Sequence, residues 1–320
     1  MELAWWSDLY LYSTSLLIRS AMLLSFNLED LLKFWDTLLF SEVPAINICL
    51  FRCLTGIVLF IDTLMWIKDR RWLLYVDGWF AYDDFKVGFS KHRLSLLNYL
   101  PPNNRSVNLL LYGQLVLSIF LILGLFSQLA AFLCYITMLS IHSRNPYSCN
   151  SGDIILRFFC VFLSLVPAGQ QISLASSSFI DINLTSWQFS LIMVQLFMVT
   201  IYFKNIYYKF QGKLWRDGSA TQKVLNVRNW IDIALPKFLD NRPFQKILTY
   251  TTLLLEGAMF SLIWIDEFRY PVLIGTILLH LAMAIFMKVK LFQMTMITGL
   301  VVFIKPVDLI HLFQYIGHVR

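Results

Sequence analysis

Eight apolar runs of near-bilayer length, punctuated by short clusters of charged and polar residues, organise the chain: 44–67, 107–126, 128–141, 154–168, 187–208, 247–265, 270–287 and 289–304. A helix of about 20 apolar residues crosses the hydrocarbon core, so each run predicts a membrane helix. The last two runs touch through Lys288-Val289-Lys290, which makes them either a tight hairpin or one long broken helix. Ahead of them, residues 9–26 carry Arg19 and several Ser and Thr. That segment either spans as a ninth helix or lies in the interface together with 31–40. The expected fold class is therefore all-α: a polytopic integral membrane bundle of about eight to nine helices. Residues 1–43 would form N-terminal apolar or amphipathic helices, 44–305 the transmembrane domain, and 306–320 a short tail.

Composition agrees. Hydrophobic residues make up 58% of the 320 residues and charged ones only 14%, whereas soluble domains stay near half apolar and a quarter charged. No Gly-Ser or Pro-rich linker divides the chain, which reads as one integral domain without a separate soluble one. Met1 to Asp8 lacks the basic start of a cleavable signal peptide. The net charge of +6 sits in the connections between runs, where it speaks to membrane orientation and not to nucleic acid. The expected location is the cell membrane, with the lipid bilayer as first partner. When the connections are alternated across the bilayer, 68–106, 142–151, 209–246 and 288–290 share one side and hold most of the Lys and Arg. The positive-inside rule places that side in the cytoplasm.

Ionisable residues inside apolar runs are costly unless they pair or face a polar cavity. Six occur here: Arg52, Asp62, Arg157, Lys204, Glu256 and His280. Asp153 and Arg157 are one helical turn apart and can pair locally. The others should meet across helices, either as interhelical glue or as the lining of a polar cavity between the helices that carry Arg52, Asn150, Lys209 and Glu256. Five cysteines (Cys49, Cys53, Cys134, Cys149 and Cys160) show no CxxC pair and no zinc-like spacing with His, so neither a disulfide framework nor a metal site is expected.

The stretch 201–220, IYFKNIYYKFQGKLWRDGSA, sets Lys204 and Lys209 among Tyr202, Tyr207 and Tyr208, then closes on a Trp215-Arg-Asp-Gly218 bend. A lysine at this depth either snorkels to the headgroups or carries chemistry. Lys209 is the candidate base, with Tyr202, Tyr208 and Trp215 as rings able to wall a flat ligand.

Four stretches carry a family resemblance. Residues 50–64, LFRCLTGIVLFIDTL, resemble the first-helix pattern of the vitamin K-dependent γ-carboxylase family, which shares its membrane part with the bacterial HTTM (horizontally transferred transmembrane) proteins. Residues 150–174, NSGDIILRFFCVFLSLVPAGQQISL, are similar to the HTTM pattern of Asn-x-Gly-Asp, Leu-Arg, a Phe-rich run and Pro-x-Gly. The 201–220 stretch resembles the family's Tyr-Phe, Lys, Trp-x-x-Gly segment, and 253–303 its acidic helix, His-x-x-Met and Phe-rich ending. In the family's carboxylases a lysine six residues after the Tyr-Phe pair deprotonates reduced vitamin K. That position here is Lys209, after Tyr202-Phe203. The resemblance implies a quinone-dependent enzyme, a carboxylase- or epoxidase-like lyase acting on a peptide or small acid. It would use reduced vitamin K or menaquinone with O2 and CO2 and no metal, and Arg52, Asn150, Arg157, Glu256 and His280 would line the cavity. The carboxylases carry Asn-His where this chain has Asn150-Ser151, and a large soluble domain beyond the membrane part. Short HTTM proteins include the membrane component of a sporulation-delaying toxin maturation system. That implies a second reading: a non-catalytic membrane partner of a soluble accessory protein in peptide maturation or export.

Overall fold

The computed structural model describes residues 28–79, 94–168, 185–227, 229–233, 236 and 240–315. Among them run twelve α-helices: α1 (Leu28–Phe40), α2 (Ile46–Leu73), α3 (Asn104–Leu123), α4 (Ser127–Arg144), α5 (Ser151–Leu165), α6 (Gln188–Gln211), α7 (Lys213–Arg216), α8 (Ala220–Leu225), α9 (Arg242–Ser261), α10 (Asp266–Phe286), α11 (Lys290–Leu300) and α12 (Pro306–Tyr315). Two three-residue strands, β1 (Glu42–Pro44) and β2 (Thr185–Trp187), pair antiparallel with Glu42 opposite Trp187. The expected all-α class holds, and the run 9–26 lies outside the described residues.

Local chemistry sets the helix ends. The Asn103 side chain accepts from the Ser106 amide to start α3, and Gly124 stops it at φ 76°, where a side chain would be strained. Asn241 caps α9 by accepting from the Phe244 amide, with Pro243 in the first turn. At α5 the Asn150 side chain accepts from the Gly152 amide, and Asp153 accepts from the Asn150 amide, a reciprocal capping box.

The connections gather at the two ends of α2, whose 28 residues reach about 42 Å. At its C-terminal end the Asn145 amide group donates to Leu73 O, and the backbone of 230–232 pairs with that of 286–288. At its N-terminal end the Asn47 side chain donates to Ile304 O, Lys305 pairs with Asp266, and the Tyr270 hydroxyl donates to Asp308. The strand pair and the Ser41–Gln188 bond close that end as well. Described parts of all four basic connections thus meet at one end. The tail is not irregular: α12 packs back on α2 and β1 and buries Leu309.

Four described helices, α2, α3, α6 and α10, are long and apolar enough to cross a membrane. A fifth is added if α11 with its 3-10 extension and α12, bent by 101°, make one broken span. That is fewer than the eight to nine expected, for physical reasons. The 15 residues of α5 reach only about 22 Å. α4 gives its last turn to His142, Ser143 and Arg144, α9 carries Arg242, Gln245, Lys246 and Thr249 before its apolar half, and α11 has 11 residues.

Polar side chains lie inside the bundle beside its apolar core, and many large apolar ones face outward. Gln114, Ser118, Thr137, Thr249, Thr276, Gln293 and Thr295 are buried, while Leu109, Val116, Phe132, Leu196, Leu254, Ile274, Leu278 and Ile285 face outward. Apolar surface on this scale marks contact with something apolar. Between helices, close approach replaces burial as the organising force: Gly56 of α2 sits where a Cβ would lie 2.8 Å from the Ile122 side chain of α3.

Candidate functional site

Helix α6 carries Tyr202 and Lys209 two turns apart on one face, and three other helices bring partners to that face. The Lys209 ammonium meets the Glu256 carboxylate of α9 at 2.5 Å. It also stands 4.4 Å from the centre of the Trp215 ring, which α7 delivers directly after the Gly212 break. The turn that follows closes at Gly218, with φ of 78°, against the aliphatic stem of Lys246. The lysine head and the carboxylate are largely withdrawn from solvent, at 21% and 9% side-chain exposure. Glu256 Oε2 is buried and has no hydrogen-bond partner among the described residues.

Two turns away along α6, the Tyr202 hydroxyl lies 2.9 Å from His280 Nε2 on α10, and His280 Nδ1 lies 2.5 Å from Gln293 Oε1 on α11. An amide oxygen only accepts, so in the neutral imidazole Nδ1–H donates to Gln293 and Nε2 accepts from Tyr202. The Gln293 amide nitrogen, facing Met283 Sδ at 3.9 Å, is consistent with that orientation. Glu256 acts electrostatically on Tyr202, and Lys209 on His280. The two pairs therefore form one polar layer across α6, α9, α10 and α11.

The remaining expected residues are elsewhere. Asn150 lines a cavity of about 650 Å³ at the basic end, together with Asp62, Asp69, Asp153, Asp232 and Lys288. Asp153 caps α5 through Oδ2 and does not form the expected contact pair with Arg157, whose charge acts on both Asp153 and His142 at longer range. Arg52 donates to the Ser127 hydroxyl and to the Cys53 thiol, near the start of α4. It cannot share a site with Asp62 on the same helix, because ten residues separate them (62 − 52), about 15 Å of rise.

Three polar clusters thus replace the single cavity expected from the sequence. Lys209, Tyr202, Trp215, Glu256 and His280 come together; Asn150 and Arg157 belong to the second cluster, and Arg52 to the third. Tyr208 does not wall a pocket: each residue advances about 100° around a helix, which turns its ring outward to 62% exposure beside Tyr207. Lys204 is exposed too. Gln293 went unseen, although a glutamine in the apolar run LFQMTM is the same kind of signal as His280.

No family model, curated protein or solved structure matches the chain.

Proposed function

We propose that the chain is a multi-pass protein of the cell membrane in which α2–α6 and α9–α11 traverse the bilayer in alternation. Its Lys209–Glu256 layer would be a proton-abstracting centre of the kind used on reduced quinones. The alternation is supported by the sorting of connections to two ends, basic at one, and by the outward apolar faces. The single observation that carries the chemistry is Glu256 Oε2, a buried acceptor beside the Lys209 ammonium with no donor among the described residues. Burying a carboxylate oxygen unpaired is costly, so a hydroxyl donor from a ligand suits that atom.

In this reading proton transfer within the pair, from Nζ to Oε1, exchanges ammonium and carboxylate for amine and acid. The neutral amine takes the hydroxyl proton of a bound donor, and Glu256 Oε2 orients that hydroxyl. Trp215 holds Nζ in place, while Tyr202 and His280 keep the floor of the layer polar. Phe203, Tyr207 and Phe260 form an outward aromatic ridge nearby, a surface suited to a flat, lipid-soluble ring. A reduced vitamin K or menaquinone would supply the acidic hydroxyl and, with O2 and CO2, the downstream chemistry that the resemblance to the HTTM and carboxylase families implies. The donor set fits such a group at the level of one orphaned acceptor, one amine and adjacent rings.

The second reading is a non-catalytic membrane partner for a peptide substrate or a soluble accessory protein. It is favoured by the tightness of the Lys209–Glu256 contact, which also suits a clamp between α6 and α9. Mass spectrometry of lipids copurified with the detergent-extracted protein separates the two. The first expects a quinone enriched over that carried by an unrelated membrane protein. No enrichment, and no binding of added menaquinone, counts against it.

A further inference from the structure

The second polar cluster, at the basic end, holds a different chemistry. His142 in the last turn of α4, Cys149 after the 3-10 turn Pro146–Ser148, and Asp153 in the first turn of α5 place one ligand atom each within 4.8 Å of the other two. His142 is 4% exposed, and its Nδ1 is buried without a hydrogen-bond partner among the described residues. A buried imidazole nitrogen left unbonded is costly, and a metal ion is one way to satisfy it.

We propose that His142, Cys149 and Asp153 bind a divalent transition metal of the zinc type. A nitrogen, a thiolate and a carboxylate form a borderline-soft donor set, which suits zinc and disfavours magnesium or calcium. Donors held at about 2.0–2.3 Å from one ion lie no more than about 4.6 Å apart, so small side-chain rotations close the set. Three protein ligands leave the fourth tetrahedral position open, the arrangement of a site that presents water or a substrate atom. The opening is at hand, since Asp153 and its neighbour Asn150 line the 650 Å³ cavity. The charges also balance. The Cys149 thiolate and the Asp153 carboxylate together offset the two charges of the ion.

The spacing of His142, Cys149 and Asp153 matches no familiar ligand motif, which is why the sequence predicts no metal there. The fold makes the site by bending the chain through Asn145–Cys149, so that the end of one helix and the start of the next face each other. The site is distinct from the Lys209 layer and does not rest on it.

The probe is Co2+ added to the purified full-length protein in detergent, followed by optical absorption and competition with Zn2+. Wild type should take up one equivalent with tetrahedral ligand-field bands and a thiolate-to-cobalt charge-transfer band, all displaced by Zn2+. Cys149→Ser keeps a donor toward Asn145 O, which the thiol meets at 3.5 Å, and should lose the charge-transfer band. His142→Gln should weaken Zn2+ binding at least about tenfold, the scale on which even outer-shell changes act. Cys53→Ser should leave the spectrum unchanged. Absence of the charge-transfer band in wild type, or its persistence in Cys149→Ser, overturns the proposal. If a variant does not fold, the wild-type thermal shift with Zn2+ decides, and no stabilisation by Zn2+ also overturns it.

Discussion

Lys209 of α6 and Glu256 of α9 form a contact ion pair, 2.5 Å between Nζ and Oε1, at the edge of a polar layer that continues to Tyr202, His280 and Gln293. Removing one member of such a pair leaves a buried charge uncompensated, whereas removing both leaves a packing problem only. Glu256→Gln should therefore destabilise the detergent-solubilised protein by about 3 kcal/mol, at the low end of the buried range because Lys209 keeps some exposure. The double variant Lys209→Met/Glu256→Leu should cost clearly less. Thermal unfolding of wild type, Lys209→Met, Glu256→Leu and the double variant measures the coupling, and additive losses would argue against a paired layer.

The α2–α3 contact depends on Gly56. A Cβ there would stand 2.8 Å from Ile122 Cγ1 and 2.9 Å from the Ile122 backbone nitrogen, and the latter cannot move aside cheaply. Gly56→Val should push the helices apart at a cost of about 1–3 kcal/mol. An unchanged melting temperature would mean the two helices are not in close register.

Asp232 joins the 229–233 segment to the start of α11 through Lys290 at 2.6 Å. The Lys290 hydrogen bond, then its charge, hold the Asp232 carboxyl below the usual range. A carboxyl lowered on folding contributes stability that is fully present above its ordinary value of 3.8. That stability is lost as pH falls through the lower folded value. The Lys288 amide, bonded to Trp230 O in the same junction, reports on it. Hydrogen-exchange protection at Lys288 should drop in Asp232→Asn at neutral pH, and in wild type only in acid. Equal protection in the two forms at neutral pH would remove Asp232 from the junction.

If α2–α6 and α9–α11 alternate across the bilayer as proposed, the two ends have opposite exposures. Lys288 is exposed at the basic end and Glu267 at the other. In a background with the five native cysteines replaced, Lys288→Cys should be modified by an impermeant thiol reagent only from the cytoplasmic side. Glu267→Cys should be modified only from the opposite side. Labelling of both from one side would break the eight-traverse topology.

The helical runs were legible because apolar length is nearly independent of context. Span number was less so. Runs such as 154–168 are continuous in sequence, yet α5 stops after Leu165, and α9 spends its first half on polar residues. At the site, Lys209, Tyr202, Glu256 and His280 stood out as polar groups in apolar surroundings, and all four meet. Asn150 and Arg157 carried the same signal but lie apart from that layer, Asn150 as a helix cap and Arg157 as a charge felt by Asp153 and His142. Periodicity along one helix cannot say which of its polar faces meets which neighbour. Tyr208, one step from Lys209, shows how little sequence distance means for direction.

The most direct test is oxygen-dependent turnover of menaquinol by purified wild type and Lys209→Arg, with quinol binding measured in parallel. Arginine keeps the charge and can hold Glu256, but it stays protonated and cannot serve as the amine base. The expected result is turnover in wild type and a loss of at least about 100-fold in Lys209→Arg, the scale of general base catalysis, with binding retained. Full turnover in Lys209→Arg, or none in wild type that binds the quinol, would contradict the assignment of Lys209 and Glu256 as a proton-abstracting centre.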